Sequence, residues 1–174
     1  MVMKRYDIPQ VADELTMLTG YLEWMRDTLR VKAGGLDAEQ LQRRLAPSTM
    51  TLGGLVTHLA WVESWWFTEI FRGEPPGEPW ASLDFKADND AEWALAASME
   101  PHEMWALFDS EVARSRATLE ASGGLDAIAV GHRKRKPGEP LSMRWIVIHM
   151  IEEYARHLGH ADLIRESVDG SVGQ

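Results

Sequence analysis

Towards the C-terminal end of the chain, His149, Glu153, His157 and His160 follow one another at intervals of four, four and three residues. Imidazole and carboxylate are side chains that ligate divalent metals, and both move protons near neutral pH. On an α-helix turning about 100° per residue, Glu153, His157 and His160 fall about 40°, 80° and 20° from His149. Three imidazoles and a carboxylate therefore share one side of one helix. Residues one turn apart converge, so His149 with Glu153, or Glu153 with His157, can aim two donors at one point. Desolvating such groups unpaired is costly, and a cation shared between them offsets that cost. Two donors from one helix leave a metal site incomplete, so a third is expected from another helix. His58, flanked by Leu59, Val62 and Trp65 at the edge of an apolar stripe, is the candidate. The competing account makes each histidine a hydrogen-bonded structural residue and Glu152 with Arg156 a surface ion pair. His102, beside a proline, and His132, in a basic loop, read as solvent-side residues.

The chain contains no cysteine. That removes disulfides, thiolate ligands and a cysteine nucleophile together, so any metal must use His and carboxylate, and any reacting thiol must come from outside. Zinc, nickel and iron all accept such donors.

The elements that must position these residues are helices. Val11, Leu15, Leu18, Leu22 and Met25 predict a first long helix over about Ile8 to Lys32, ended by Gly34 and Gly35. A short helix capped near Asp37 follows. The second long helix spans about Thr51 to Arg72, with Leu52, Leu55, Val56, Leu59, Val62, Trp66 and Ile70 as its buried stripe, and the run Gly73 to Pro79 breaks it. A long connection from Trp80 to Ala97 carries a short helix around Ala91 to Ala97. The third long helix opens at Glu100-Pro101, buries Trp105, Phe108, Val112 and Leu119, and stops before Gly123. Pro140 introduces the fourth, about Leu141 to Ser167, whose apolar members are Trp145, Ile148, Ile151, Ala155, Leu158 and Leu163. The pattern predicts an all-α, four-helix bundle with a long connection between helices two and three. It forms one domain over residues 1–170 with a frayed tail at 171–174.

Composition limits the partners. A chain of 174 residues, 45% hydrophobic and 26% charged, is long enough to bury a full core. A net charge of −9 argues against nucleic acid as a partner, since that role needs a basic face. The one basic run, His132-Arg133-Lys134-Arg135-Lys136, is short and reads as a solvated loop or a local site for an anionic substrate. No apolar run is long enough to span a membrane and the N-terminus lacks a signal-peptide core, which together predict a cytoplasmic protein. Of eight tryptophans, Trp61, Trp65 and Trp66 crowd the second helix, and core packing, a dimer seam or, for Trp65, a pocket wall would account for them.

Two stretches carry a resemblance. The run from Pro47 to Phe67, containing Leu52-Gly53-Gly54-Leu55-Val56-Thr57-His58-Leu59-Ala60-Trp61, resembles the second-helix signature of the DinB-like (YfiT-like) superfamily in its mycothiol-transferase branch. The run from His149 to Glu166 is similar to the fourth-helix signature of that branch, and Gly35 to Leu41 also fits. The resemblance implies one metal ligand on helix two and two on helix four, here His58, Glu153 and His157, and often a homodimer. Many members of the superfamily carry His-xxx-His on the last helix. In this chain the earlier position of that pair is Glu153, a departure shared with mycothiol-dependent maleylpyruvate isomerases, which use a His/Glu/His set. His149 is a substitute ligand or an outer partner. By this resemblance the activity is metal-dependent thiol S-transfer, in which mycothiol, activated as a metal-bound thiolate, attacks a small electrophile. His160 and His149 orient ligands or move protons, and Arg156, Arg165 or the basic loop anchors a carboxylate of thiol or substrate. Hydrolysis by metal-activated water, and metal or ligand binding without turnover, use the same ligands and stay open.

Overall fold

The computed structural model describes residues 5–132 and 138–173. Helix α1 (Glu14–Ala33) starts where Asp13 accepts the Thr16 amide at 3.0 Å. This is later than the sequence pattern predicts, because residues before Asp13 double back along the helix and the Tyr6 amide donates to the Asp27 carboxylate at 2.7 Å. Val11 and Leu15, placed by periodicity in the buried stripe, are consequently 93% and 40% exposed. Helix α2 (Ala38–Leu41) carries a capping box between Asp37 and Gln40.

Helix α3 (Leu52–Ser64) is capped by Thr51 and continues as a π-helix from Trp65 to Arg72, closed by Gly73 in the left-handed region at φ 68°. The predicted second helix is thus one rod in two registers, and Leu52, Leu55, Val56 and Leu59 are buried as expected. In the connection that follows, a 3₁₀ turn at Trp80–Ser82 precedes α4 (Ala91–Leu95) and a second 3₁₀ turn at Ala96–Ser98. Helix α5 (Pro101–Ala121) has proline in its first turn and a Glu100–Glu103 capping box. Helix α6 (Met143–Asp169) begins at the Ser142 cap and ends at Gly170.

Alpha-helical packing sets the layers: α1 lies along α6, α3 along α5, and α3 faces α6 across the core. The buried line of α6 matches the predicted apolar members only in part: Leu158 is buried, and Trp145 and Ile151 pack against the core. The line alternates by three and four through Met143, Val147, Met150, Tyr154, His157, Ala161, Ile164 and Val168, whereas Ile148 and Leu163 are 49% and 58% exposed and Ala155 is exposed too. Tyr154 and His157 stand on the core line despite their polar atoms, so a search among aliphatic residues follows it only in part. Among the described residues the only β pairing is a single bridge, Ile128 to Ser142. The segment around it ties two helix ends together: Val130 and Gly131 amides donate to the Phe71 and Ile70 carbonyls at 2.8 and 2.9 Å, and the Ala129 amide to Leu141. Most of the basic run, Arg133 to Lys136, lies outside the described residues, and His132 and His102 are exposed. Among the described residues no helix is long and apolar enough to cross a membrane.

Candidate metal centre

Because α3 faces α6, His58 comes opposite Glu153 and His157. One potential ligand atom from each lies within 4.8 Å of the other two, with His157 on the buried line of α6 and the other two half-buried. The His157 Nε2 atom is 3.5 Å from Glu153 Oε2, and the His58 and His157 rings meet edge-on with centroids 4.7 Å apart.

His58 is held from the connection. Its Nδ1 lies 2.9 Å from Oε1 of Glu92, a residue only 3% exposed, and the indole of Trp93 stacks on the imidazole at 4.5 Å and 22°. A carboxylate only accepts, so Nδ1 is the donor, and the tautomer this selects in a neutral ring has its Nε2 lone pair available for a ligand. The glycine one turn before His58 makes room for this clamp, since a Cβ on Gly54 would lie 2.9 Å from Trp93 Cε3. Neither Glu92 nor Trp93 is predicted as part of the site. The usable signal is an acidic residue and an aromatic inside a short helix that has little else to bury.

Glu153 is held from its own helix. His149 Nε2 lies 3.3 Å from Glu153 Oε1, and its Nδ1 is 3.2 Å from Glu152 Oε2. The His149 ring is stacked on Trp145 at 4.8 Å and meets Trp66 edge-on at 4.6 Å. Hydrogen bonds with His149, and secondarily with His157, hold the Glu153 carboxyl far below the usual carboxylate range against the opposing effect of burial. His149 thus touches a candidate ligand and stands outside the three-residue group. His160 packs edge-on to His157 at 5.5 Å; burial first, then His157 and Arg156, lowers its pKa. Arg156 sits exposed on the helix surface, paired with Glu152. Arg165 donates to the Lys32 and Gly34 carbonyls and pairs with Asp169, so it fastens α6 to the end of α1.

The donors suit a divalent ion. Ligand atoms about 2.1 Å from a tetrahedral zinc stand roughly 3.4 Å apart, so side-chain adjustments of about an ångström bring this set into range. Glu153 is ionised, and His58 has its second ring nitrogen occupied by a carboxylate, the arrangement that orients metal-ligating imidazoles. The buried Nδ1 of His157 has no partner among the described residues. Glu92→Ala is therefore expected to weaken zinc binding about 10–100-fold, with Glu92→Gln losing less because an amide oxygen still accepts from Nδ1. Competition with a chelating dye measures this, and unchanged affinity in Glu92→Ala would remove the clamp from the site.

The same two helices are joined by a buried ionic network. Arg26 of α1 donates from Nε and Nη2 to the two Glu63 oxygens at 2.8 and 2.7 Å, and the Tyr154 hydroxyl donates to Glu63 Oε1 at 2.8 Å. Burial, and next the Glu63 charge, push the Tyr154 pKa well up, so it stays a donor. Burial opposes the Arg26 charge, but Glu63 overcomes it.

Beside His58 a cavity of about 530 Å³ opens between α3, its π-helical extension and the connection. Trp61, Trp65, Trp80 and Phe85 supply aromatic walls.

An all-helical bundle with two imidazoles and a carboxylate converging from facing helices defines a class of candidate metalloproteins. The family model for mycothiol S-transferases matches residues 17–170, and the chain belongs to that family. The chain is also similar in structure to a conserved protein from Enterococcus faecalis, with a TM-score of 0.66 at 13% identity, covering 92% of this chain and all of the other. That likeness speaks for the helical fold alone. Comparison with curated proteins returns no match.

Proposed function

We propose that this protein is a metal-dependent thiol S-transferase whose thiol is mycothiol and whose metal is held by His58, Glu153 and His157. The observation that carries the proposal is the convergence of those three donors next to an open cavity, in a chain of the mycothiol S-transferase family. A divalent ion so held would act as a Lewis acid favouring the thiolate of a thiol that reaches it near neutral pH. Three protein donors leave further positions for an incoming group, as in catalytic rather than structural sites.

The chain's own residues do the rest. Glu92 and Trp93 fix the His58 ring, while His149 fixes Glu153. His160, packed against His157, accepts the proton that the thiol gives up. The sulfur then contributes the electron pair of a new C–S bond, and the attacked carbon releases a pair to its leaving group or to a conjugated carbonyl that takes up a proton. No cysteine of the chain competes with the incoming thiol.

The test supplies zinc- or nickel-loaded protein with mycothiol and a set of electrophiles, and follows thiol consumption. Metal-dependent consumption that chelation stops and re-addition restores is expected. Turnover that proceeds equally without thiol would instead assign hydrolysis, and turnover with neither would assign a binding protein.

A further inference from the structure

Glu111 is a buried carboxyl that the metal centre does not use. It is 1% exposed on α5, and burial raises its pKa against the opposing effects of Arg114 and of a hydrogen bond from Trp80. Desolvating a carboxyl costs stability that an aliphatic side chain in the same place would not, so its contacts are informative. The indole N–H of Trp80 donates to Glu111 Oε1 at 3.2 Å. Arg114 Nη1 stands 3.5 Å from the same oxygen and beside Gly77, where a Cβ would come within 3.4 Å of it. The other oxygen, Oε2, has no hydrogen-bond partner among the described residues.

Trp80 is where the connection enters the bundle. Among the described residues between Gly73 and Met99, only Trp80, Glu92 and Ala96 are buried. Each meets another element: Trp80 meets Glu111 of α5, Glu92 meets His58 of α3, and the Ala96 carbonyl accepts from Gln42 at 3.0 Å. Between the first two, the connection follows one strip of α3. Trp80 packs on Trp61 at 5.6 Å, Phe85 stacks on that same ring at 4.7 Å, and Trp93 stacks on His58, three residues before Trp61 and so its neighbour on the helix. Apart from Leu83 and Phe85, residues 81–90 are exposed. A segment with so few buried contacts opens locally at little cost unless its ends are held, and the bond from Trp80 to Glu111 holds the end that Glu92 does not.

We infer that Glu111 is a positioning residue for the metal centre: by seating Trp80 it fixes the path of the connection, and through it the Glu92–Trp93 clamp that aims His58. This rests on the assignment of the metal to His58, Glu153 and His157, a group to which Glu111 does not belong.

The experiment measures zinc affinity by competition with a chelating dye, and amide hydrogen exchange, in Glu111→Leu, Glu111→Gln and Trp80→Phe. Glu111→Leu should weaken zinc binding about tenfold, the lower end of what losing an outer partner of a metal ligand costs. Trp80→Phe keeps a ring in the core and deletes the donor, so it should match Glu111→Leu with less risk to the fold. Glu111→Gln, whose amide oxygen still accepts from the indole, should bind zinc as wild type does. In a Glu92→Ala background, Glu111→Leu should add less than about twofold, because its route to His58 is already cut. The Ala81, Ser82 and Leu83 amides, which donate to the Gly77, Pro79 and Trp80 carbonyls, should exchange faster in Glu111→Leu and Trp80→Phe while α1 and α6 stay protected.

Wild-type zinc affinity in Glu111→Leu or Trp80→Phe would overturn the inference and leave the metal centre standing. So would Glu111→Gln as weak as Glu111→Leu, which would give the effect to charge, or the same loss repeated on top of Glu92→Ala, which would make it independent of the clamp. Faster exchange spread over α1 and α6 would also overturn it, since Glu111 would then support the bundle as a whole. A wild type that binds no zinc would remove the metal centre itself, a result distinct from all of these.

Discussion

Replacing His58 or His157 with alanine is expected to empty the metal site: wild type should carry close to one zinc or nickel ion per chain after removal of purification-tag metal, and either variant almost none. Each side chain supplies one of three donors on two different helices, so its loss leaves two donors. Affinity should fall by more than about a hundredfold, beyond the 10–100-fold that the loss of an outer partner costs. The fold should survive, because neither ring is what closes the core. The buried line of α6 runs past His157 through Met150, Tyr154, Ala161 and Ile164, and α3 buries Leu55, Val56 and Leu59 around His58. His149→Ala is the internal control, since His149 touches Glu153 and stands outside the three-residue group. It should retain metal with reduced affinity. Elemental analysis beside circular dichroism reads both effects. Full metal content in His58→Ala would show that the ion, if any, sits elsewhere. A metal-free wild type that stays folded and takes up neither zinc nor nickel would make these histidines structural.

Element identity was legible where one signal dominates. Capping residues and glycine stops place α2, α5 and the end of the π-helical extension of α3 within a residue or two, because those signals act within one turn. The start of α1 was missed because its cause is not local: Tyr6 is drawn back to Asp27, twenty-one residues away. The phase of α6 is legible only in part, through Leu158, Trp145 and Ile151, because its core line also includes a tyrosine and a histidine. The hydroxyl of Tyr154 is satisfied by Glu63, a partner that no helical periodicity reveals. The candidate ligands were visible as a one-turn pair on α6 plus a core-side histidine on α3. What lay beyond the sequence was the contribution of the connection. Glu92 and Trp93 reach His58 only because Gly54 leaves room for them, and the cavity exists only because residues 76–89 pass across the face of Trp61 and Trp65.

The network beneath the site should be the most sensitive point of the fold. Arg26, Glu63 and Tyr154 are at most 3% exposed, and the pair is bidentate, so removing one partner strands a charge with no water to replace it. Arg26→Met is expected to cost about 3–5 kcal/mol. In a chain of this size that lowers the thermal midpoint by roughly 10–15 °C. Tyr154→Phe removes one neutral donor and should cost only about 1–2 kcal/mol, since Arg26 still satisfies Glu63. The double variant Arg26→Met with Glu63→Leu should recover most of the loss, because the stranded charge disappears along with its partner. A double variant no better than Arg26→Met would mean that packing around the guanidinium, rather than the unpaired carboxylate, dominates.

The double variant also asks what the network is for. Glu63 lies on the helix of His58, and Tyr154 is the residue after Glu153, so the hydrogen bond between them spans the same two helices that the ion would bridge. If it sets their register, the recovered double variant should bind zinc more weakly than wild type at equal stability. If hydrophobic packing sets the register alone, zinc affinity and the metal-induced rise in thermal midpoint should both match wild type.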